Sequence, residues 1–170
     1  EQDLERLRQK LERMRADTTT PDTRLSDDMN GINPATTESL TRLMLGGLPT
    51  GRSCHALHSR LRYFDANRRR AGLPEDVGAL VEKLGDDEVT VSLVNASPVY
   101  ERTVVVQGGA YAEHRLDRVT LGESAAGVTE AYGADHSAFS VRLAPGCGAQ
   151  LKIALKRYAN PPTFAFPWDR

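Results

Sequence analysis

The sequence predicts an α+β, mainly β protein: an antiparallel β-sandwich, immunoglobulin-like or jelly-roll-like, preceded by a helical and extended N-terminal segment. Three observations carry this reading. After Asp87 the chain falls into short runs of alternating apolar and polar residues, separated by Gly, Pro and Asn turns. Residues 3–15 instead place apolar side chains at helical spacing. The chain has 170 residues, 39% hydrophobic and 26% charged, enough for a core without a metal or disulfide staple. No apolar run approaches the roughly 20 residues of a spanning helix, so no membrane partner is expected. The formal net charge of -1 argues against a nucleic-acid binder driven by bulk positive charge.

A boundary near residue 50 separates the N-terminal segment, 1–50, from a sandwich domain, 51–170. In the first helix Leu4, Leu7, Leu11 and Met14 occupy a and d positions of two heptads. Two heptads do not hold a stable coiled coil alone, so the stripe is expected to dock. Its partner would be an upstream domain of the same protein or a second copy of the chain. Residues 17–33 read as an extended polar connector. Asn33-Pro34 then opens a second helix with stripe residues Leu40, Leu43 and Met44, and Gly46-Gly47 stops it.

The period changes to two in residues 55–64, where Leu57, Leu61 and Tyr63 alternate with Arg60 and Arg62. Pro74 followed by Glu75 and Asp76 predicts one short helix at about 74–84. Strands follow at 89–94, 102–107 and 111–121, the last with weak alternation. Residues 122–137 are small and polar, a long loop with room for a short strand near Val128. Residues 139–143 and 150–158, joined by Ala144-Pro145-Gly146-Cys147-Gly148, read as the clearest hairpin of the chain. Cys54 and Cys147 are either two free thiols or a bridge closing a loop of about 90 residues. Asn95-Ala96-Ser97 matches a glycosylation acceptor, a match common by chance and followed here by Pro98.

Four groups of residues invite a chemical reading. Residues 52–70 hold Arg52, Arg60, Arg62, Arg68, Arg69 and Arg70 against Asp65 alone. Such forks bind phosphate or carboxylate, or else pair with the acids of 74–88 in a salt-bridge patch. The C-terminal tail carries Phe164, Phe166 and the single Trp168 among prolines. It would stack on a carbohydrate or dock in a partner's groove, or else fold back and seal one edge of the sandwich. Cys54, His55 and His58 fall short of a metal site, because residues three apart on a strand face opposite sides. The pairs Asp27-Asp28 and Asp86-Asp87 read as solvated loop acids. No nucleophile elbow, phosphate loop, zinc pattern or dinucleotide fingerprint occurs, so no cofactor or metal is expected.

Residues 88–157, with TVSLVN at 90–95 and LAPG at 143–146 introducing the last strand, resemble the terminal β-sandwich domain of large carbohydrate-active enzymes. Residues 28–64 also resemble the distal part of long bacterial proteins with an α/α-barrel catalytic portion, such as glycosidases or terpenoid dehydratases. The resemblance implies a non-catalytic module at the end of a larger enzyme, and it places no catalytic residue here. The opening Glu1 and the unsatisfied helix stripe agree with a chain that continues upstream. A carbohydrate-binding module, and a small enzyme or anion-binding protein using residues 60–70, are the alternatives.

Overall fold

The computed structural model describes residues 2–20, 22, 38–47, 58–122 and 131–170. The chain divides into two compact units, Glu1–Leu40 and Thr41–Arg170. In the first, α1 (Gln2–Ala16) follows from the heptad spacing, with Arg13 and Arg15 complementing the dipole in its last turn. Leu4, Leu11 and Met14 are exposed on it. The expected N-cap at Asn33-Pro34 lies outside the described residues. The second helix is described over α2 (Glu38–Leu45). Gly46 closes it in the left-handed conformation (φ +60°), its N–H donating to the Arg42 carbonyl at 3.0 Å.

The described strands form two antiparallel sheets. They are β1 (Leu61–Asp65), β2 (Arg70–Ala71), β3 (Val77–Leu84), β4 (Glu88–Asn95), β5 (Arg102–Gly108), β6 (Arg115–Leu121), β7 (Ala131–His136), β8 (Ala138–Leu143) and β9 (Gly148–Lys156). One sheet has the order β2-β1-β5-β8 and the other β3-β4-β9-β6-β7. Alternation decides which side chains meet between them. Leu61, Tyr63, Val104, Val106 and Leu143 come from the first sheet. Val89, Val91, Leu93, Leu116, Val119, Leu151, Ile153 and Leu155 come from the second, and together they make one core. Met44 and Leu45 of α2 pack against it. The Tyr63 hydroxyl donates to the Met44 carbonyl at 2.7 Å, and burial raises its pKa well above the usual phenol range. The mainly β sandwich is therefore present.

Residues 74–84 are not a helix. Their apolar residues Val77, Leu80, Val81 and Leu84 have helical spacing, but Val77, Ala79 and Val81 equally have strand spacing. Pairing with β4, from Val77↔Asn95 to Leu84↔Val89, decides for the strand, and Leu80 and Leu84 stay exposed. Gly78 and the two valines are also poor helix formers. The acids meant for a helix N-terminus find guanidiniums instead: Glu75 pairs with Arg68 at 2.6 Å and Asp76 with Arg102 at 3.0 Å.

Residues 139–143 and 150–158 are not a hairpin either. β8 pairs with β5 in one sheet, and β9 pairs with β4 and β6 in the other. The turn at Ala144–Cys147 therefore carries the chain across the core, as does the connection from Asn95 to Arg102. The alternation of each strand is the same for a hairpin and for such an arch, so the local pattern does not distinguish them. The weak alternation of the third strand has its reason in a bulge between Leu116 and Arg118. That bulge lets Leu116 and Val119, three apart, both face the core. Of the loop expected at 122–137, residues 131–136 form β7, and Val128 lies outside the described residues.

Asn95 joins the two arches. It is fully buried, and its Nδ2 donates to the carbonyls of Tyr100 (2.8 Å), Leu143 (3.2 Å) and Ala144 (3.1 Å). Its Oδ1 accepts the Ser97 N–H at 3.0 Å. The glycosylation match is thus occupied by an internal staple. Cys147 is a free, exposed thiol, and Cys54 lies outside the described residues.

Candidate functional site

The arginines that cluster in sequence are separated by the fold. Arg60 precedes β1, whereas Arg68, Arg69 and Arg70 lie in and just after the β1–β2 turn. There Asp65, itself buried, accepts the N–H groups of Asn67 and Arg68 at 3.1 Å each. Arg68 pairs with Glu75, Arg69 with Asp169 at 3.3 Å, and Arg70 with Asp65 at 3.7 Å. The first two pairs are exposed on both sides, worth about 0–1 kcal/mol each. Arg62 donates to the Ala110 carbonyl at 2.8 Å and lies over the Phe64 ring at 5.1 Å. Arg52, Cys54 and His55 lie outside the described residues.

Arg60 is the member in a different setting. A pocket of about 140 Å³ is lined by Gly46, Gly47, His58, Ser59, Leu84 and His114, with Arg60 and Arg157. Its floor is built by close backbone approach: a Cβ on Gly47 would lie 1.8 Å from the His58 carbonyl oxygen. The Arg60 N–H donates to the Leu45 carbonyl at 3.0 Å, and its own carbonyl accepts from Gly109 at 2.8 Å, tying the end of α2 to β1 and β5. Ser59 is 5% exposed, and its hydroxyl has no hydrogen-bond partner. The buried Nε atoms of Arg60 and Arg157 also lack one. Neither arginine makes an ion pair among the described residues. Burial, then the neighbouring Arg157 charge, lowers the Arg60 pKa, while Tyr158, Asp86 and Asp87 oppose the change.

His114 completes the lining. Only 2% exposed, it meets the Tyr158 ring edge-on at 4.9 Å, and its Nδ1 accepts the Tyr158 N–H at 3.2 Å. Burial first, then the Arg60 and Arg157 charges, depress its pKa below the ordinary 6.5, against an opposing pull from Glu113. The unfolded chain therefore takes up this proton before the folded one on acidification. The stability tied to the neutral ring is complete above about pH 6.5 and is lost as the pH falls through the folded-state value. His114→Gln, which can still accept the Tyr158 N–H, is expected to flatten the acid limb of stability measured by thermal melting. An unchanged pH profile would assign that limb to other groups. His136, by contrast, lines a separate cavity with Arg115 and Arg170.

Trp168 lies in the folded-back tail. Asn160 and Thr163 donate backbone N–H bonds to the Glu113 and Tyr111 carbonyls, at 3.2 and 2.8 Å. Phe166 and Trp168 stack nearly parallel, centroids 5.0 Å apart, and both meet Phe64 edge-on. Arg69 lies over the Trp168 ring at 5.6 Å. Arg170 donates to Ser137 Oγ at 2.8 Å and to Gln107 Oε1. Phe64 and Val105 face away from the core, yet they are 2% and 8% exposed. The tail thus covers a sheet face rather than an edge. Beside it runs an open groove of about 390 Å³, lined by Trp168, Arg69, Phe139 and Ser140 among others.

No family model matches this chain, and no curated protein or solved structure matches it. Among the described residues no group of three or more His, Cys, Asp or Glu could hold a metal ion. No described helix is long and apolar enough to cross a membrane. Arg157 and His114 gave little signal in sequence: one follows a lysine-bearing strand and the other is an isolated histidine. Their contribution arises from the turn after β5 and the end of β9 meeting at the start of β1.

Proposed function

We propose that this chain is a non-catalytic β-sandwich module of a larger, glycoside-processing protein, docked through α1. The observation that carries the reading is the stripe of α1, where Leu4, Leu11 and Met14 are 68%, 38% and 44% exposed. A 15-residue helix is marginal alone in water, so a partner helix gives it its stability. Acids and bases balance along its flanks, so a second copy of α1 complements it in charge as well as in shape. The likeness of 90–95 and 143–146 to terminal sandwich domains supports the larger context.

Sedimentation equilibrium tests the docking. A reversible dimer is expected, weakened more than tenfold by Leu11→Asp, since one buried leucine contributes about 1.5–3 kcal/mol. A monomer at every concentration, or a dimer indifferent to Leu4→Asp and Leu11→Asp, would reject α1 as the docking element. The groove beside Trp168 favours carbohydrate binding as a second reading, although Phe166 and Arg69 already occupy ring surface that a sugar would use. Glycan-array binding lost in Trp168→Ala would support it, and binding that survives would remove the platform.

A further inference from the structure

We propose that the pocket between α2 and the start of β1 is a binding site for one tetrahedral oxyanion, phosphate or sulfate, held between Arg60 and Arg157 with the Ser59 hydroxyl donating to it. Three features of the lining select this class of ligand. Arg60 and Arg157 line the same small space with no carboxylate paired to either among the described residues, and the Arg157 charge disfavours that of Arg60. Guanidinium forks match the spacing of oxyanion oxygens and bind them by charge-assisted hydrogen bonds.

The second feature is unused donor capacity. Buried hydroxyl and N–H groups are rarely left without a partner, because each orphan costs roughly 1–3 kcal/mol. Here Ser59 Oγ, Arg60 Nε and Arg157 Nε are all buried and unpartnered around one cavity. An oxyanion in the cavity brings acceptors to a lining that holds such unused donors. The third feature is size: about 140 Å³ falls below the roughly 300–1,000 Å³ of pockets for organic ligands and suits a small ion or the terminal group of an ester. The exposed arginines 68–70 lack these features, since each already has a carboxylate partner.

Amide NMR of the full chain, titrated separately with inorganic phosphate, inorganic sulfate and methyl phosphate, tests the site. Saturable shifts confined to the neighbourhood of Ser59, Arg60, His114 and Arg157 are expected with at least one ion. Methyl phosphate binding as well as free phosphate would identify an ester group as the occupant; phosphate alone would identify the free ion. Arg157→Gln is expected to weaken phosphate roughly tenfold or more, while Arg68→Gln leaves it unchanged. In anion-free buffer Arg157→Gln should also melt higher than the parent, because the like-charge repulsion is gone, and phosphate should no longer raise its Tm. If Arg157→Gln fails to fold, Ser59→Ala provides the same comparison through its weaker phosphate binding. No saturable shift, shifts spread over the surface arginines, or equal phosphate affinity in the folded variants would overturn the proposal.

Discussion

Asn95→Asp, an exchange of one amide nitrogen for oxygen, is expected to destabilise the sandwich by about 3 kcal/mol or more at neutral pH. The wild-type Nδ2 supplies hydrogen bonds to the carbonyls of Tyr100, Leu143 and Ala144 in a site with no exposure. A carboxylate there would face three carbonyl oxygens and lose its hydration as well. Its protonated form is tolerated better, so its folded-state pKa would be raised. Stability should therefore recover as the pH falls toward about 4 and decline as it rises through that raised value. Asn95→Ala removes the donors without adding a charge and should cost about 2–4 kcal/mol, with no comparable pH dependence. Urea denaturation at several pH values separates the two variants. Equal losses at all pH values would mean that the staple acts through shape rather than through its hydrogen bonds.

Removing residues 159–170 is the second large change. The truncated chain loses the cover over Phe64 and Val105, and with Arg170 it loses the donor to Oε1 of the buried Gln107. Uncovering the Phe64 ring alone forfeits roughly 1.5–3 kcal/mol, and the exposed face becomes a sticky patch on a sheet. A lower Tm and self-association through the four-stranded sheet are expected in melting and light-scattering experiments. Phe166→Ala combined with Trp168→Ala should reproduce most of the loss with the chain at full length. If the truncated chain keeps its Tm and its size, the tail is an ornament rather than a cover.

These two features mark how far the sequence could be read. Period and β-branching placed β4, β5, β8 and β9, because each has a one-sided apolar pattern that burial then satisfies. Pairing was another matter. Alternation says which side chains face inward but not which neighbour supplies the hydrogen bonds, so the β8–β9 arch reads locally as a hairpin. In β3 two periodicities share Val77 and Val81, and only the β4 partner resolves them. The basic pocket was legible in one residue, Arg60. Arg157 and His114 reach it through contacts between distant strands, for which neither carries a local mark. Folding back is one of the readings the tail's aromatic and proline residues allow, but its target, the outer face around Phe64 rather than an edge, depends on which side chains the core has already claimed.

The position of β9 between β4 and β6 bears on how the chain folds as it is made. Every other described strand emerges from the ribosome before it, yet the five-stranded sheet has no continuous middle until residues 148–156 are free to enter. A nascent chain stopped short of that point would hold β3–β4 and β6–β7 as separate ribbons with apolar flanks. Completion of the sandwich is thus tied to late synthesis, and premature termination upstream of β9 should leave material for proteolysis rather than a smaller folded protein.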